Sequence, residues 1–185
     1  YTTLFRSVVG PGPIGLCLVA AAKALGAEKV VLVGTRASRL EVGKELGADY
    51  TVNIKDGEDP VALVKELTHG VGAAVVCDAA GSATSLDSCL DLVRPAGRIV
   101  MVAMYKQPVT ADLAKAVKHN VQINTVRGEG RLNVHRALSL MGQGKLNLNP
   151  LLTHAFPLTQ LDQAFNTFEN RIDNAIKVVV HPHTK

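Results

Sequence analysis

Short runs of apolar, largely β-branched residues alternate along this chain with segments whose apolar positions recur every three or four residues. The runs at 29–33, 50–54, 73–77, 99–103 and 121–126 predict strands, and Val8-Val9 predicts the end of an earlier one. Helical spacing fills the gaps. Leu16, Cys17, Val19, Ala20, Ala24 and Leu25 follow the first strand, and further helices are predicted up to Gly47, from Asp59-Pro60 to about 67, at 85–92 and at 113–118. Local signals mark the ends. Ser38-Arg39-Leu40-Glu41 has the spacing of a reciprocal helix cap, Asp59-Pro60 joins an N-cap residue to a helix-starting proline, and Arg94-Pro95-Ala96-Gly97 predicts a turn into the strand at 99–103. The strand at 73–77 is nearly all apolar, as a parallel strand covered on both faces must be. Strand–helix alternation with right-handed crossovers predicts the α/β class, a doubly wound parallel sheet with strand order 3-2-1-4-5-6.

After a helix predicted at 133–141 the pattern changes. Residues 147–157 read as a loop with two prolines, 158–168 as a helix, and 175–180 as a strand with no evident partner in the six-stranded sheet. The expected division is 8–148 as one domain and 149–185 as a separate C-terminal segment, whose strand must find a partner, stay solvated or pair between molecules. Residues 1–7, Tyr-Thr-Thr-Leu-Phe-Arg-Ser, read as the translated end of a sequencing adapter. They are expected to be foreign, with Leu4 and Phe5 standing where native apolar residues belong.

Composition narrows the possibilities. At 185 residues, 47% hydrophobic and 19% charged, the chain can bury a core and is not of a disordered type. No apolar run is long enough to span a bilayer, and no signal-peptide pattern is visible. Cys17, Cys77 and Cys89 lie in apolar segments without metal-ligand spacing, which predicts buried free thiols, a reducing compartment and hence a cytoplasmic protein. The net charge is +4, but the basic residues are scattered and aromatics make up only 4%, which argues against a nucleic-acid groove. The six histidines have no cysteine or carboxylate at ligand spacing. His181 and His183 form only a weak H-x-H, so these side chains read as surface or tail groups and no metal site is expected.

One motif carries chemistry. Val8-Val9 runs into Gly10-Pro11-Gly12-Pro13-Ile14-Gly15, a G-x-G-x-x-G between a strand and a helix, the context in which such glycines hold a dinucleotide. Gly10 permits the tight turn, Gly12 lets a pyrophosphate approach the backbone, and Gly15 lets the helix pack close to the strand. Pro13 falls on the first helical position, where a missing N–H costs nothing, so the first free donor is the amide of Ile14, aimed at the phosphates with the helix dipole behind it.

From Val8 to about Pro182 the sequence resembles the zinc-type medium-chain alcohol and polyol dehydrogenases, in the manner of the sorbitol, idonate and threonine dehydrogenases. The resemblance is carried by the fingerprint with its alanine-rich helix ending Leu25-Gly26-Ala27, and by Glu45-Leu46-Gly47-Ala48-Asp49. Cys77-Asp78-Ala79-Ala80-Gly81, Arg94-Pro95-Ala96-Gly97-Arg98 and Thr153-His154-Ala155-Phe156-Pro157-Leu158 add to it. It implies a Rossmann cofactor domain followed by a return segment of a catalytic domain. It also implies that the domain with the zinc ligands and proton relay is missing here, so no catalytic residue, zinc or turnover is expected of this chain alone. The intact enzyme would be a homo-oligomer acting on a small alcohol, polyol or ketone.

Many such enzymes place an acidic residue at the end of the second strand, where it bonds the ribose of NAD and repels the 2′-phosphate of NADP. This chain has Gly34-Thr35-Arg36 there, similar to the Gly-Ser-Arg of NADP-dependent members, which implies a preference for NADP(H). Gly34 would make room, Thr35 offers a hydroxyl, and Arg36 a guanidinium suited to two phosphate oxygens. Arg39 matches a cofactor-contacting arginine of the sorbitol dehydrogenases. Ala79 and Ala80, after the fourth strand, would line the adenosine side. Val102, Ala103 and Met104, with Val126 and Arg127, would border the nicotinamide ribose and amide. Two other readings are a zinc-free quinone-reductase-like enzyme, whose fingerprint usually lacks the Pro13-Ile14 pair, and a non-catalytic NAD(P)-sensing module, which needs no segment beyond the sheet.

Overall fold

The computed structural model describes residues 5–128 and 130–183, so Leu4, which the adapter reading singles out, lies outside the described residues. Strand β1 (Phe5–Val9) leads through the glycine turn into α1 (Pro13–Ala24), then β2 (Lys29–Gly34), α2 (Ala37–Glu45) and β3 (Tyr50–Asn53). The chain crosses back through α3 (Pro60–Leu67) to β4 (Ala73–Asp78), α4 (Ser85–Leu92), β5 (Val93–Met101), α5 (Leu113–Lys118) and β6 (Gln122–Thr125). These six strands are parallel and ordered β3-β2-β1-β4-β5-β6, as the alternation predicts.

The sheet has a core on each face. Val9, Val31, Val33, Val76 and Ile99 point to one, with Val64, Leu86 and Leu92 from the helices. Val8, Val30 and Leu32 point to the other, with Leu16, Val19 and Leu40 from α1 and α2. Helix starts follow local chemistry. Asp59 accepts from the amides of Val61 (2.8 Å) and Ala62 (3.2 Å), capping α3 ahead of Pro60. No described helix is long and apolar enough to cross a membrane.

Three expectations are corrected. The reciprocal cap at Ser38 does not form: α2 begins at Ala37 with Arg36 as its N-cap, and Ser38 Oγ donates to Asn174 Oδ1 at 3.0 Å. Only two residues separate β2 from α2, so the helix must start earlier than Ser38. The turn at 94–97 is instead a bulged stretch inside a longer β5. Ala73 pairs with Val93 but Val75 with Arg98, and Ala96 takes φ +53°.

The third correction concerns the C-terminal segment. After α6 (Arg131–Gly142), residues expected to form a loop contain β7 (Leu152–Pro157), which precedes α7 (Leu161–Glu169) and β8 (Lys177–His181). β7 and β8 pair in parallel as a separate two-stranded sheet, Leu152 opposite Lys177 and Phe156 opposite Val180. The last strand therefore has a partner within the chain. Thr153 ties the two together, accepting from the amide of Ile176 (2.9 Å) and donating to the carbonyl of Lys177 (3.2 Å). The segment also docks: Leu146, Leu151 and Ile176 are buried in the same core as α1 and α2.

Candidate cofactor site

A cleft of about 510 Å³ opens where β1, β2 and β4 end. Parallel strands expose their last amides and carbonyls at that edge, and at the point where the strand order reverses the following loops diverge and leave a crevice. Gly10, Gly12, Gly34, Thr35, Arg36, Ala79 and Ala80 all line it. Gly10 adopts φ +103°, and a side chain there would lie 2.7 Å from the amide nitrogen of Ala80. A Cβ on Gly15 would stand 1.9 Å from the carbonyl oxygen of Gly10, so the helix can approach the turn only because Gly15 is bare. Around Gly12 the space is open.

Helix α1 starts as predicted, with Gly12 as N-cap and Pro13 in the first turn. No side chain caps it and no acid sits in that turn. The amides of Ile14 and Gly15 therefore have no intrahelical acceptor, which suits an anion at the mouth of the helix. The side chain of Ile14 is exposed, and Gly15 is buried beneath the turn.

The second strand ends as its sequence suggests, with one difference. Thr35 and Arg36 are exposed in the cleft. The room at Gly34 is taken by Pro11, whose Cγ would be 2.4 Å from an added Cβ. Arg39 is absent from the cleft wall. It is buried, and its Nη2 donates to the carbonyl of Ala175 at 2.8 Å, fastening α2 to the C-terminal segment. Burial lowers its affinity for the proton, and the neighbouring positive charges of Arg36 and Arg171 add to the effect.

The predicted nicotinamide-side residues stand further along the same edge. The amides of Val102 and Ala103 donate to the carbonyl of Asp78 at 2.9 and 3.0 Å, and that of Val126 to Met101 at 3.1 Å. Met104 is 93% exposed and lines a second hollow of about 320 Å³, with Ala80 and Gly81 on its other wall. Arg127 is exposed.

Sequence reasoning missed several cleft residues. Ile54 forms the outer wall beside Arg36, and Ser82, Thr84, Ser85 and Ser88 face the fingerprint from the far side. It also missed the buried Asp78, whose Oδ1 accepts from the amides of Ala80 (3.0 Å) and Gly81 (3.2 Å). Its Oδ2 accepts from Ser85 Oγ (2.8 Å) and from the Tyr105 hydroxyl. The signal available was a carboxylate closing an otherwise apolar strand. Burial, then the bond to Asp78, pushes the Tyr105 phenol up to about 12.

Among the described residues no three His, Cys, Asp or Glu side chains converge as a metal site would require. The three cysteines are free, and burial raises the pKa of each thiol, that of Cys77 to about 11.

Comparison with known proteins agrees with this geometry. L-threonine 3-dehydrogenase of Bacillus subtilis is 35% identical over 178 residues, covering 95% of this chain and 50% of that protein. The alcohol dehydrogenase of Thermotoga maritima superposes with a TM-score of 0.87 at 27% identity, covering 97% of this chain and 50% of its own. A short chain alcohol dehydrogenase from E. coli CFT073, solved in complex with cofactor NADH, superposes with a TM-score of 0.82 at 25% identity, covering 94% and 51%. The chain thus spans about half the length of the relatives it matches. The model of the zinc-binding dehydrogenase family matches residues 13–143, well over half of the sequence, and the chain belongs to that family.

Proposed function

We propose that this chain is the dinucleotide-binding half of an oxidoreductase that moves hydride between NADP(H) and an alcohol, polyol or ketone. The observation that carries the reading is the end of β2, where Thr35 and Arg36 face the cleft and no carboxylate occupies the strand end. A basic residue at the N-cap of a helix is unfavourable unless an anion meets it, and the 2′-phosphate of NADP is such an anion. The uncapped start of α1 offers amides to the pyrophosphate, and Ala79 and Ala80 leave the adenosine side apolar and narrow. Val102, Ala103, Met104, Val126 and Arg127 are assigned to the nicotinamide side, along the edge formed by the ends of β5 and β6. The bound cofactor supplies hydride at its nicotinamide C4.

Residues 8–148 form the binding unit in this reading, and 149–185 return toward a catalytic domain although Leu151 and Ile176 pack on α1 and α2. The chain alone is expected to bind cofactor without retaining zinc or turning over substrate, because its described residues assemble no metal site. In the intact protein, assembly as a homo-oligomer and a cytoplasmic location belong to the same reading.

Titration with NADPH and with NADH, followed by calorimetry because the chain has no tryptophan, tests the preference. Tighter binding of NADPH is expected. Replacing Arg36 with Asp should weaken NADPH by about ten- to hundredfold, since a hydrogen bond to a charged group contributes roughly 1.5–3 kcal/mol. Equal affinities in the wild type, or an unchanged NADPH constant in the Arg36→Asp variant, would refute the assignment.

A further inference from the structure

Strand β4 is apolar from Ala73 through Cys77 and then closes on a carboxylate with no exposed surface. A buried charge persists only when its oxygens are hydrogen-bonded, and Asp78 has four donors. Two are the amides of Ala80 and Gly81, in the loop that forms one wall of the cleft. The third, Ser85 Oγ, lies at the start of α4, with the carbonyl of Ser82 at 3.0 Å as the other acceptor its single proton can share. The fourth is the phenol of Tyr105, from the loop after β5. The carbonyl of Asp78 meanwhile accepts from Val102 and Ala103, at the beginning of that loop. One residue therefore holds both loops that flank the second hollow, where Ala80 and Gly81 face Met104.

We propose that Asp78, acting through Tyr105, is a positioning residue that sets the spacing of the two loops at the nicotinamide end of the cleft. The inference rests on the dinucleotide reading above. Gly34, Thr35 and Arg36 make no hydrogen bond to this cluster and belong to β2 and the turn after it, so the 2′-phosphate side of the cleft is held independently. Ala80, on the adenosine wall, is held by Asp78 itself and keeps that bond when the phenol is removed. The clamp is constant over ordinary pH, because the phenol stays protonated and remains a donor well into the alkaline range. It also has no competitor in water on the Asp78 side, since that residue is fully buried.

Two substitutions separate the clamp from general packing. Tyr105→Phe keeps the ring and deletes only the hydroxyl. Asp78→Asn keeps Oδ1 for the two amides and presents an NH₂ to Ser85 and Tyr105, whose hydroxyls can turn to accept. Calorimetric titration of each with 2′,5′-ADP, which carries only the adenosine half, and with NADPH gives the test. Tyr105→Phe should bind 2′,5′-ADP as the wild type does and NADPH about tenfold more weakly, at the low end of the range for one hydrogen bond to a charged group because the bond lost is not to the ligand itself. Asp78→Asn should show the same selectivity with a smaller loss. Amide exchange at Val102 and Ala103, where the loop carrying Tyr105 begins, should quicken in the Tyr105→Phe variant, and that at Ala80 should not. Equal weakening toward both ligands would mean a general loss of structure, and unchanged NADPH binding would mean no clamp; either overturns the inference while leaving the cofactor reading intact. A wild-type chain that binds neither ligand would sink the cofactor reading, and the inference with it.

Discussion

Ser7 invites a change that should make the protein more stable. It lies in β1, the strand flanked by β2 and β4, with Val31 and Val76 as its lateral neighbours. Phe5 and Val9, two positions away on either side, point into the apolar core on the same face. Ser7 is 0% exposed, and its Oγ has no hydrogen-bond partner among the described residues. Burying an unpaired hydroxyl costs roughly 1–3 kcal/mol in proteins. Ser7→Ala removes the hydroxyl and forfeits the dispersion contacts of one atom, worth about 0.1–0.2 kcal/mol each. The net expectation is a gain of about 1 kcal/mol. For a chain of this size that is roughly 2–4 °C in Tm, or about 0.4 M in the urea midpoint with an unchanged slope. Urea titration followed by far-ultraviolet circular dichroism reads it directly. An alanine variant no more stable than the wild type would mean the hydroxyl is satisfied after all, and the reasoning would fail.

Two further outcomes follow from the same structure. Burial raises all three thiols, and a raised pKa leaves less thiolate at a given pH, so reaction with a disulfide reagent at pH 8 should be slow throughout. Cys17 should react first and the fully buried Cys89 last; a fast-reacting Cys89 would contradict its placement. Arg39→Met strips the buried carbonyl of Ala175 of its donor, so stability should fall by roughly 1.5–3 kcal/mol. Protease should then cut sooner near 171–174, where Arg171, Asp173 and Asn174 all hold positive φ, and unchanged cleavage there would show that Arg39 does not fasten the segment.

The sheet was legible because β2, β4 and the end of β5 are apolar runs bounded by glycine, proline or a cap, and these recur between helical segments at short, regular spacing. The fingerprint was legible for the same reason. β7 was not, because Pro150 and Pro157 bracket it and Thr153-His154 interrupts its apolar residues, while its partner lies beyond an intervening helix. The destination of Arg39 was invisible in principle, since it bonds a main-chain carbonyl that any residue at 175 would present. The Asp78 cluster joins residues 7 and 27 positions away, and no local spacing announces such a meeting.

Pro11 fills the space that Gly34 leaves by having no side chain. That contact makes the two positions a single unit of change. Exchanging the cofactor preference by placing a carboxylate on residue 34 would drive its Cβ into a rigid ring within the glycine turn. The ring cannot swing aside as a flexible side chain would, so the turn itself must move and carry the phosphate amides with it. Positions 11 and 34 are therefore expected to tolerate change together and not singly.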